Sequence, residues 1–156
     1  MKKFAFVLCS FLAFSTNAQS KSESINKQEF VNPIFYQPLR PMSMHSGYTY
    51  LTPTSIKSMT PLDKNKVSRV GKCELLENKE NYIKLFCKTS WQMFIGGKFE
   101  TNTSNNVYTY EVKKIAFEGC LDIERIIYEI TERGNEKLST SHYCVTPTDD
   151  YLSKTN

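Results

Sequence analysis

The sequence predicts a mainly β, or α+β, fold: one small antiparallel sheet of four to six strands stapled by two disulfides, with a single helix near 121–134 as the alternative for that segment. Three observations carry this expectation. Residues 82–95 alternate apolar and polar side chains, five of the six prolines crowd into 33–61, and an even set of cysteines remains once a leader is set aside. With 156 residues, 40% hydrophobic and 23% charged, and a mean hydropathy of -0.44, the chain has the composition of one globular domain. Nine tyrosines and ten phenylalanines against two histidines disfavour a disordered chain and a histidine-built metalloenzyme.

Residues 1–18 read as a secretory signal peptide, cleaved after Ala18. Lys2 and Lys3 give a positive start, Phe4 to Phe14 is mostly apolar, and Thr16 and Ala18 are the small residues a signal peptidase accepts. The apolar run is shorter than the roughly 20 residues needed to span a bilayer. Removing residues 1–18 leaves 138 of the 156 and takes Lys2 and Lys3 out of the formal charge, which falls from +4 to +2. A nucleic-acid-binding surface then has no compositional support, and Lys113-Lys114 and the other lysines are too dispersed to track phosphates. No second apolar run is long enough to cross a membrane. The expected location is therefore the periplasm or the cell exterior, and the short Met-Lys-Lys start is of bacterial type.

Residues 19–32 are polar and lack apolar periodicity, so they read as a flexible arm. In 33–65, Pro33, Pro38, Pro41, Pro53 and Pro61 exclude a long helix, while Phe35, Tyr36, Leu39, Tyr48, Tyr50 and Leu51 are too apolar for a solvated linker. This segment is expected to pack across the domain, with a short strand at 48–51. The disulfide-bonded core is placed at 66–147 and a C-terminal tail at 148–156.

Within the core, 66–77 reads as a strand, Asn78 to Asn81 as a turn, and 82–95 as a half-buried strand with Ile83, Leu85, Cys87, Trp91, Met93 and Ile95 on one face. Gly96-Gly97 and the polar 102–106 read as loop, and 107–117 as the next strand. Between Leu121 and Arg133 two readings compete. Leu121, Ile123, Ile127 and Ile130 approach helical spacing, but Ile126, Ile127, Tyr128, Ile130 and Thr131 favour a strand, which is the preferred reading. Leu138 to Val145 follows as a final strand after the turn at Gly134-Asn135.

With Cys9 removed, Cys73, Cys87, Cys120 and Cys144 are even in number and suit two bridges in an oxidising compartment. A hairpin turning around 79–81 sets Cys73 opposite Cys87 and Leu75 opposite Leu85, which leaves Cys120 to pair with Cys144. The gaps between the four, 13, 32 and 23 residues, fit neither zinc modules nor Cys-x-x-Cys redox centres, so no metal and no cofactor is expected.

Catalytic signals are weak. Neither a Gly-x-Ser-x-Gly elbow, an HExxH helix, a P-loop nor a dinucleotide glycine pattern occurs. His45 and His142 are the only histidines and could serve a small secreted hydrolase or nuclease as a general acid–base pair. The expected binding residues are Tyr36, Tyr48, Tyr50, Tyr108 and Tyr110, since tyrosines are enriched at interfaces, although the same side chains could simply cover the sheet. The leading expectation is an exported, non-catalytic protein that binds another protein, in its most concrete form an inhibitor or immunity-type protein. A secreted toxin or adhesion subunit that binds glycans is the alternative outside catalysis.

Overall fold

The computed structural model describes residues 28–44, 47–61, 63, 66–117 and 119–147, with backbone alone for 114–117. The signal peptide, residues 19–27, His45 and the tail at 148–156 lie outside the described residues. The chain forms a short 3-10 helix at Pro33–Tyr36 and eight strands: β1 Arg40–Pro41, β2 Thr49–Thr52, β3 Ser55–Met59, β4 Val67–Lys79, β5 Tyr82–Ile95, β6 Lys98–Phe117, β7 Cys120–Thr131 and β8 Gly134–Val145. All pairings are antiparallel, in the order β1-β8-β7-β6-β5-β4-β3-β2. The fold is thus mainly β as expected, but larger than a sheet of four to six strands.

The sheet curls into a nearly closed barrel, and a three-residue stretch forms its seam. Arg40 and Pro41 pair with Cys144 and Tyr143 of β8 on one side. On the other, Leu39 and Thr49 exchange both backbone hydrogen bonds, at 2.8 and 3.0 Å, which links the seam to β2. The proline-rich segment therefore does not lie across a finished domain. It supplies three strands of the barrel itself, because Pro41 sits where a strand of two residues needs few ladder bonds and Pro53 occupies the β2–β3 turn.

The hairpin turns alternate between the two ends of the barrel. The turns at Glu80-Asn81 and Gly119 lie at one end, and those at Gly96-Gly97 and Glu132-Arg133 at the other. The first end is closed by the 3-10 helix. Asn32 caps it by accepting from the Ile34 N–H at 3.0 Å and donates its own amide to the Glu80 carbonyl at 2.7 Å. Phe30, Ile34 and Phe35 join the core formed by Leu39, Leu51, Ile56, Leu75, Ile83, Leu85 and Ile123. Phe30 and Asn32 are buried, so the polar arm expected over 19–32 does not extend to these residues.

The strand expectation for 82–95 holds over the whole span, but only the first half of its apolar face is buried: Ile83, Leu85 and Cys87 are fully so, Trp91 is half-buried, and Met93 and Ile95 are exposed because the strand outruns the barrel there. Cys73 lies opposite Cys87 and Leu75 opposite Leu85, and the bridges are Cys73–Cys87 and Cys120–Cys144. A bulge at Leu76 produces this register: nearer the turn, Lys79 faces Tyr82 and Glu77 faces Lys84, and one extra residue on β4 then brings the cysteines level. Residues 121–131 are strand, with Leu121, Ile123 and Ile127 buried on one face. The expected loop at 102–106 is instead strand. Gly96 and Gly97, both at positive φ, make a two-residue turn that carries β6 straight back along β5, and Thr89 and Ser104 bond across the pair at 3.0 Å.

Candidate functional site

The sequence-predicted residues do not gather into one site. Tyr108 and Tyr110 are fully buried inside the barrel, so of the two readings their alternation allows, packing is the one the structure shows. Tyr36 and Tyr50 are partly exposed and Tyr48 is half-buried. The Tyr36 ring packs on Phe30 with centroids 4.9 Å apart, and its hydroxyl accepts from the Phe30 N–H at 2.9 Å. His142 is on the outer face of β8, its Nδ1 3.0 Å from Asp122 Oδ1. An Asp–His pair in water fixes the ring and contributes little to stability. Among the described residues, no group of three or more His, Cys, Asp or Glu side chains comes together to hold a metal.

Two features stand out at the end of the barrel opposite the 3-10 helix. The first is a pair of hairpins that outrun the barrel wall. Pairing of β6 with β7 stops at Asn106 and Glu129, and pairing of β4 with β5 stops at Arg69 and Trp91. Beyond these points the ribbon of residues 92–105 stands without flanking strands. Its tip is apolar: Met93, Phe94, Ile95 and Phe99 are 45%, 64%, 46% and 71% exposed. Phe94 and Phe99 face each other across the turn with ring centroids 5.1 Å apart. The second hairpin, β7–β8, carries exposed Ile130 and Leu138 at the same end.

The second feature is the barrel interior below these hairpins. A cleft of about 370 Å³ opens there, lined by residues that include Arg69, Trp91, Arg125, Tyr143, Thr49 and Ser58. Arg125 occupies an inward position of β7, between buried Ile123 and Ile127. One of its amino groups donates to Ser141 Oγ at 3.0 Å, and its guanidinium lies 5.0 Å from the Tyr143 ring centre. Arg69 lies over the Trp91 ring at 4.5 Å. Among the described residues no carboxylate lies within ion-pair distance of either arginine.

Several polar atoms around the interior lack partners: Asn102 Nδ2, the Tyr108 and Tyr110 hydroxyls and Arg125 Nε. An orphaned buried group of this kind costs about 1–3 kcal/mol. Burial pushes the Tyr110 phenol far above its ordinary range, and the nearby Arg125 charge offsets part of the rise. The pH dependence follows in sign. Below about pH 10 the phenol is protonated in both the folded and unfolded chain, and at higher pH the unfolded chain alone ionises, so stability falls as the pH rises. Tyr110→Phe is expected to move the alkaline unfolding midpoint upward without lowering the thermal midpoint at pH 7, as read by circular dichroism. A lower thermal midpoint would show that the hydroxyl has a stabilising partner.

Arg69, Trp91 and Arg125 were not singled out by the sequence as a site. The available signal was positional: Arg125 is a charge at an inward step of a strand whose other inward residues are apolar. Together, the fold and the cleft define an eight-stranded antiparallel barrel with a polar, cationic interior at its open end, a size of barrel that side chains can fill or that can hold one small ligand. No protein-family model matches the chain, and neither a curated protein nor a solved structure matches it.

Proposed function

We propose that this chain is an exported, non-catalytic binding protein that acts by protein–protein interaction in the periplasm or outside the cell, as an inhibitor or immunity-type protein does. The observation that carries this reading is the exposed apolar tip of the β5–β6 hairpin. Four large exposed apolar side chains, Phe94 and Phe99 on one face and Met93 and Ile95 on the other, cluster at the tip of a ribbon that pairs with no further strand. Clusters of this kind mark interaction sites, and Phe and Met are among the residues enriched in interface cores. A protein fits better than a lipid surface, because Lys98 and Glu100 are the only charges in 92–105 and cancel, so there is no basic belt to hold anionic headgroups. Two disulfides suit an oxidising compartment, and among the described residues no helix is long and apolar enough to cross a membrane.

The test is photo-cross-linking in the producing cells, with p-benzoylphenylalanine in place of Phe94 and, as a control, in place of Lys57 on β3. One discrete protein adduct from position 94, absent from the control and lost when Ile95→Ser and Phe99→Ser are added, is expected. Adducts to lipid alone, equal adducts from both positions, or none at all would overturn the reading.

A further inference from the structure

We propose that the open end of the barrel is a binding site for a small organic anion, whose carboxylate or phosphate is held between Arg69 and Arg125. This site is separate from the hairpin tip and does not depend on what the tip binds. Both guanidiniums line one cleft of about 370 Å³, a volume within the range of small-molecule sites. Among the described residues, none of those lining it is an aspartate or glutamate. Two like charges in one recess are each other's cost until an anion enters, and the low-dielectric interior of a barrel increases that cost.

The arginines are also held in a way that leaves their donor edges available. Trp91 covers the face of the Arg69 guanidinium and Tyr143 stands beside that of Arg125. Stacking on a ring orients the planar fork while leaving its N–H edge free for a carboxylate or phosphate, which it can grip in a bidentate manner. Of the five Arg125 donors one is held by Ser141, the guanidinium also acts on the Tyr110 phenol, and its buried Nε has no partner of its own. The ring of Trp91, with Met59 and Pro61 also lining the recess, offers an apolar wall for the rest of the ligand. The anion and its apolar body are therefore both part of the fit.

Trp91 is the only tryptophan in the chain, so its fluorescence reports on this cleft directly. The oxidised protein is titrated with benzoate, phenyl phosphate and the neutral analogue benzyl alcohol. A saturable response to benzoate or phenyl phosphate is expected, and the one that binds more tightly assigns the carboxylate or the phosphate. Benzyl alcohol, Arg69→Gln and Arg125→Gln are each expected to weaken binding at least about tenfold, a loss typical of removing a charge-assisted hydrogen bond. If Arg125→Gln does not fold, Arg69→Gln and the weakening of wild-type binding by added salt carry the test. Benzyl alcohol binding as tightly as benzoate, unchanged affinity in Arg69→Gln, or no saturable response to either anion up to about 10 mM would overturn the proposal.

Discussion

Phe35→Ala is expected to destabilise the fold by about 3–5 kcal/mol, against a total of about 5–15 kcal/mol for a domain of this size. Phe35 is fully buried, and its ring meets that of Phe30 edge-on, with centroids 5.9 Å apart. It lies in the short helix that closes one end of the barrel and packs in the same core as Leu39 and Leu51. Truncation would leave a cavity that the strands cannot collapse to fill, since their spacing is fixed by the backbone ladder. Phe35→Leu keeps most of the volume and is expected to cost about half as much or less. Urea unfolding followed by circular dichroism gives both values, and a loss under about 1 kcal/mol for the alanine variant would show that the helix is not a plug.

Replacing Cys120 and Cys144 together by serine is expected to cost about 3.5 kcal/mol, from the chain entropy that the bridge removes from the unfolded state. The bridge spans 24 positions and joins the start of β7 to the end of β8. Cys144 is also the residue opposite Arg40 in the seam, with an Arg40 amino group 3.1 Å from its sulfur. Removing the bridge therefore loosens the strand to which β1 is paired. The Cys73–Cys87 bridge spans 14 positions, and its loss is expected to cost about 0.5 kcal/mol less. Chemical denaturation of the two double-serine variants checks both figures. Loss of both bridges together is expected to approach the whole stability of the domain and leave the reduced chain largely unfolded.

The parts of the fold that were legible in the sequence were those set by local chemistry. Alternation over 82–95 and turn residues at 78–81 located β5 and the β4–β5 hairpin, and through them the pairing of Cys73 with Cys87. That pairing follows from a turn placed around Lys79 to Asn81, whereas the tight turn at Glu80-Asn81 is compensated by a bulge at Leu76 that no local signal announces. The run 102–106 resembles a loop by composition because Asn, Thr and Ser favour turns, yet the strongly patterned β5 gives every one of these residues a partner. Closure of the barrel was not legible, since it depends on Leu39 meeting Thr49 and Arg40 meeting Cys144, contacts without periodicity. The candidate site is hidden for the same reason. Arg69 and Arg125 lie on different strands, and only the curl of the sheet turns both towards one cleft.

The seam also sets a timetable for the chain. Arg40 and Cys144 are 104 positions apart, so the early seam residues have no β8 to join until all the strands between them have been made. Until then the growing meander has two open edges, and an open edge invites pairing with other chains. Contacts of such long range also put folding towards the slow end for domains of this size, on the order of milliseconds to seconds. A barrel built this way can shut only once β8 is present, so its arrival is the event that removes both open edges.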